Sequence, residues 1–99
     1  METFFNRVVS GEVQGGTTAA QMPDVPCAMI KIKALSNNSG NVYLGSSSSV
    51  SIAGTATSTT MGYELDAGQE TDWLPIDNLN KLWMITDANA DDVCYIAFR

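Results

Sequence analysis

The clearest alternation in the chain runs from Cys27 to Ala34, where Ala28, Ile30, Ile32 and Ala34 fall on one side and Met29, Lys31 and Lys33 on the other. A period of two sends successive side chains to opposite faces of a strand, so this segment predicts a strand with one face in the core and one in water. Pro23 and Pro26, just before it, hold the approach extended and stop a helix from running in. Asn37-Asn38-Ser39-Gly40-Asn41 is then a dense turn signal followed by Val42-Tyr43-Leu44, and the two strands are expected to form a hairpin.

Further strands are read at Met61–Leu65, with Tyr63 and Leu65 on one face, and at Thr71–Ile76, where Pro75 marks an edge or a bulge. The turn Asp66-Ala67-Gly68-Gln69 separates them, with Gly68 expected at positive φ. Asp77–Leu82 predicts a single helical turn capped by Asp77, because Leu79, Leu82 and Trp83 sit at spacings of three and four. Leu82–Thr86 and Val93–Phe98 read as strands joined by the turn Asp87-Ala88-Asn89-Ala90-Asp91 into a closing hairpin. Between Ser46 and Thr60 the chain is mostly Ser and Thr, with apolar alternation only at Val50 and Ile52, and is expected to be an exposed excursion with little buried surface. About six to eight short strands with frequent turns predict an all-β fold, a small antiparallel β-sandwich of jelly-roll-like or barrel-like form.

A chain of 99 residues fits one core, so residues 17–99 are taken as the sandwich domain and residues 1–16 as an N-terminal arm. In the arm, Phe4, Phe5, Val8 and Val9 are apolar, while Gly11, Gly15 and Gly16 prevent a long regular element. Two readings stand: a first strand around 5–14 packed on the chain's own core, or a docking arm whose Phe4, Phe5, Val8 and Val9 bind a neighbouring subunit.

Only 16% of residues are charged while Ser, Thr, Asn and Gly are abundant, which favours strands and turns over exposed helices. The formal charge is −6 and the five basic residues are scattered, so nucleic acid is not expected as a partner: phosphate binding needs a concentrated basic face. No apolar run approaches the roughly 20 residues that span a bilayer, and the first residues lack a signal peptide's pattern, so synthesis in a cytoplasm and no membrane partner are expected. Cys27 and Cys94 are read as buried, reduced thiols, with a disulfide only if their strands are neighbours.

The absence of histidine removes Ser-His-Asp and Cys-His nucleophile arrangements and His-dependent metal sites, so no enzyme activity and no cofactor are expected. Leu65-Asp66-Ala67-Gly68 has the outline of a retroviral-type aspartic protease triplet, but Ala67 stands where the bracing hydroxyl belongs. Asp87-Ala88-Asn89-Ala90-Asp91 opens like a calcium loop, yet Asp92 replaces the Gly and Phe98 the Glu that such a loop requires. Trp73, Trp83, Tyr43, Tyr63 and Tyr95 are read as core or cross-strand aromatics, with a sugar-stacking platform as the alternative.

The order of segments carries a resemblance. Met22-Pro23-Asp24-Val25-Pro26-Cys27, Ile30–Ala34, Gly40–Gly45, the Ser-rich stretch, Gly62–Gly68 and Ile76-Asp77-Asn78-Leu79 together resemble the small β-sandwich virion proteins of tailed bacteriophages, of the capsid decoration (cement) or head-fibre type, over residues 17–98. The resemblance implies a virion protein on the capsid surface that binds the major capsid protein in many copies, itself a homo-oligomer, trimer or dimer. A tail or baseplate adaptor, or a receptor (carbohydrate)-binding module, is the alternative.

Overall fold

A computed structural model describes residues 7–52 and 58–99. The chain is all-β: seven strands among the described residues form two antiparallel sheets. The first sheet has the order β1 (Val8–Gln14), β7 (Asp92–Phe98), β3 (Met29–Ala34); the second has β2 (Ala20–Gln21), β6 (Trp83–Thr86), β4 (Val42–Gly45), β5 (Tyr63–Leu65). Ile30, Ile32, Ala34, Val93 and Ala97 from the first sheet meet Val42, Leu44, Leu65 and Met84 from the second, with Met22 and Leu79 closing the core. The inward set of β3 is the one its alternation predicts.

Rows across the first sheet show how the core is filled. Val9, Ala97 and Ile30 lie in one inner row, Gly11, Tyr95 and Ile32 in the next, and Val13, Val93 and Ala34 in the third. Gly11 has no room for a side chain, since a Cβ there would lie 2.7 Å from the Tyr95 hydroxyl. Residues 8–14 of the expected arm are thus the edge strand of the first sheet, and residues 1–6 lie outside the described residues.

The predicted hairpins are corrected. β3 pairs with β7, and β4 with β5 and β6, so the turn at 35–41 crosses from one sheet to the other. The same holds for 87–91, which leads from β6 in the second sheet to β7 in the first. The two crossings meet at one end and fasten each other: Asp91 Oδ1 accepts from Ser39 N at 2.9 Å, Asp91 Oδ2 from Gly40 N at 2.8 Å, and Asp87 Oδ2 from Asn41 N at 2.9 Å. Asn38 and Asp92 add a reciprocal pair, Asn38 Nδ2 donating to Asp92 O and Asp92 N to Asn38 Oδ1, both at 2.9 Å. The acidic side chains of this turn satisfy backbone donors of the other crossing, which is how a half-buried corner keeps its polar groups paired.

Two smaller expectations change, and a third, the exposed Ser-rich excursion, gains one buried residue among its described positions. The helical turn is a 3-10 helix at Leu79–Lys81 whose cap is Asn78, not Asp77: Asn78 Oδ1 accepts from Asn80 N and from Val25 N. Thr71–Ile76 is no regular strand but a strip bridged to the free side of β3 at Lys33↔Glu70 and Ile30↔Leu74. There the Thr71 hydroxyl, rather than a carbonyl, accepts from Ile32 N at 3.1 Å. The Ser-rich stretch buries Val50, 7% exposed, against the backbones of Gly45 and Gly62, where any side chain would collide with it. The turn at Asp66–Gln69 does carry Gly68 at φ 85°.

Candidate docking face

The outward side of the first sheet gathers large apolar groups that no strand of the chain covers among the described residues. Val8, Phe98 and Met29 form one row across β1, β7 and β3, and Ser10, Ile96 and Lys31 the next. Val8 is 52% exposed, Ile96 40%, and Met29 and Phe98 38% each. Trp73, from the strip along β3, stacks on Phe98 with ring centroids 4.9 Å apart and planes at 25°. Leu74 faces the core from that strip, so its neighbour Trp73 emerges on the outer side. Scattered apolar residues are normal on a surface; several in adjoining rows of one sheet make a candidate contact surface.

Charge divides this face along its length. At the apolar end Arg7 and Arg99 flank the Val8–Phe98 pair, with Arg99 N donating to Arg7 O and Arg99 Nε to Pro26 O. Lys31 Nζ sits 5.5 Å from the Trp73 ring centre and 3.2 Å from Glu70 Oε1. At the other end Glu12 lies beside Asp92, whose Oδ1 is buried without a hydrogen-bond partner. The Asp92 carboxylate, through a shared hydrogen bond and repulsion, holds the Glu12 carboxyl above its usual range.

The structure separates the residues expected to dock. Val8 is on the outer face; Val9 turns inward and packs on the core; Phe4 and Phe5 lie outside the described residues. The outward placement of Phe98 and Ile96 was not read from the sequence, although β7 carried a signal. Val93–Phe98 is apolar at both parities, and in a two-layer sandwich only one parity has a layer to pack against.

Both cysteines are half-buried and free: Cys94 lies on the outer face between Glu12 and Lys33, while Cys27 Sγ donates to Ile76 O at 3.3 Å and burial pushes its thiol up. The aromatics form no single platform, since Tyr43, Tyr63 and Trp83 belong to the second sheet, Tyr95 to the first, and Trp73 to the strip beside β3. Apart from this face, a cleft of about 340 Å³ is lined by Leu44, Thr71, Asp72, Leu74 and Leu82 with Tyr63, 65% exposed, at its lip. Among the described residues no three Cys, Asp or Glu side chains converge as a metal-holding group. Compared with known proteins, the chain matches no family model, no curated protein and no solved structure.

Proposed function

We propose that this chain is a non-enzymatic virion structural protein that decorates a phage capsid and stabilises it by binding the capsid subunits through the outer face of its three-stranded sheet. The observation that carries the reading is the Val8–Phe98–Met29 row with Ile96 and Trp73 beside it, an apolar face left in water by a single molecule. Burying such side chains contributes a few kcal/mol per copy, roughly 25 cal/mol for each Å² removed from water. That is modest for one copy and large over a shell that repeats the contact. Arg7, Lys31 and Arg99 give the patch a basic rim on an otherwise acidic protein, which fits an acidic margin on the capsid subunit. The segment order over residues 17–98 supplies the resemblance to decoration proteins.

Copy number in purified phage particles tests the reading. Many copies per shell support decoration, a handful per particle supports a tail position, and absence from particles overturns both. Phe98→Ser should lower capsid occupancy roughly tenfold or more, the equivalent of about 1.4 kcal/mol, with the fold kept. The alternative, a receptor-binding module for carbohydrate, draws on the cleft, where the Tyr63 ring and the Asp72 carboxylate border apolar walls. Glycan binding that Tyr63→Ala abolishes would favour it.

A further inference from the structure

β1 is an edge strand whose backbone is built to accept another strand. Arg99 N donates to Arg7 O at 2.9 Å and Gly15 N to Asp91 O at 2.8 Å, which sets the parity of the ladder between β1 and β7. Residues 9, 11 and 13 therefore direct their N–H and C=O groups at β7, and Val8, Ser10, Glu12 and Gln14 direct theirs away from it. Among the described residues no strand pairs with that side.

The other edges are blunted. The free side of β3 is covered by the 69–74 strip, and the edges of the second sheet are strands of two and three residues. β1 runs for seven residues in unbroken register, with no Pro, no Lys and no bulge, the devices that usually keep an edge from pairing.

We infer that β1 pairs antiparallel with β1 of a second copy about a two-fold axis at Gly11, joining the two three-stranded sheets into one. In this register Ser10 of each copy faces Glu12 of the other, and Val8 faces Gln14, each pair exchanging two N–H···O bonds. The Ser10 hydroxyl then meets a carboxylate that a single copy leaves against Asp92. Shifting the partner by two residues one way sets Glu12 against Glu12, a like-charge pair directly opposite on one face. Shifting it the other way sets Val8 against Glu12 and Ser10 against Ser10, which loses both Ser10–Glu12 pairs. At the axis, Gly11 meets Gly11 as a non-hydrogen-bonded pair, where backbones come closest, and neither copy brings a side chain to crowd the approach. The proposal concerns the strand edge and leaves the apolar face free, so it stands or falls separately from capsid docking.

The test measures mass and amide exchange on the full chain. The wild type should sediment at twice the 10.6 kDa of one chain. The N–H groups of Ser10, Glu12 and Gln14 should exchange as slowly as those of Val9, Gly11 and Val13. Ser10→Pro removes one outward donor and none of the bonds to β7, so it should return the mass to that of one chain and speed exchange at Glu12 and Gln14 with the strand signal in circular dichroism unchanged. Ser10→Glu should do the same without constraining the backbone, because it sets a second carboxylate directly opposite Glu12 of the other copy, and it serves if the proline variant does not fold. Phe98→Ser, which alters the face and not the edge, should leave the mass at two chains. A wild type that remains a single chain at about 100 μM, a three-chain mass, or a dimer that survives both Ser10 substitutions overturns the pairing.

Discussion

The Asp91 carboxylate, 3% exposed, accepts from the Gly40 backbone N–H at 2.8 Å and thereby ties together the two places where the chain changes sheets. Its other oxygen takes the Ser39 N–H and hydroxyl. Asp91→Ala strips the acceptors from the half-buried Gly40 N–H and from Ser39 and should cost about 1.5–3 kcal/mol, the range for hydrogen bonds to a charged group. Asp91→Asn, which keeps one acceptor, should cost less. Denaturant titration of the two variants checks the order, and equal losses would mean that size rather than bonding matters at this position.

Ile32 is fully buried in the core, whereas Lys31 points outward to Glu70 and Trp73. Ile32→Ala should cost about 2–5 kcal/mol through lost transfer energy and a cavity. Lys31→Ala should cost under about 1 kcal/mol, because its ion pair is solvent-exposed. Similar midpoints for both variants in urea would contradict the facing of β3.

Glu12 supplies a pH dependence whose sign follows from its surroundings. Asp92 on β7 raises its carboxyl in the folded protein, so the folded state binds that proton more tightly than the unfolded chain does. The contribution is complete below the unfolded carboxylate pKa and is lost as pH rises through the higher folded value. Lys33, two positions across the same outer row, is the nearest cation of that row. Glu12→Gln carries an amide that donates to Asp92 at any pH. The wild type should therefore lose stability relative to this variant between about pH 4 and pH 7, and parallel curves would remove Glu12 as the cause.

Val50 tests whether the Ser-rich stretch belongs to the packed structure. Its side chain fills the space above Gly45 and Gly62, so Val50→Ala should cost about 1.5–2 kcal/mol, near 0.8 for each buried carbon lost. A change within about 0.5 kcal/mol would show that the segment is only draped over the sheet.

The sequence by itself determined which way side chains face along a strand. Ile30, Ile32 and Ala34 alternate with Lys31 and Lys33, and period two leaves one assignment that buries the first set and hydrates the second. It also determined the turn at Gly68, since a positive φ is a local property that glycine meets without strain. The apolar outer face was half legible, as β7 is hydrophobic at both parities. Only the tertiary structure decided which strands are neighbours. A turn of Asn, Asp, Ser and Gly reverses the chain equally well whether it returns beside its own strand or crosses the roughly 10 Å to the other sheet. Here the choice is fixed by partners about half the chain away, Asp91 on Ser39 and Gly40, and Asn38 on Asp92, and no local pattern encodes such a pairing. The open edge of β1 was decided in the same way, because a strand's sequence sets its faces while its place in the sheet sets which of its backbone groups remain unpaired.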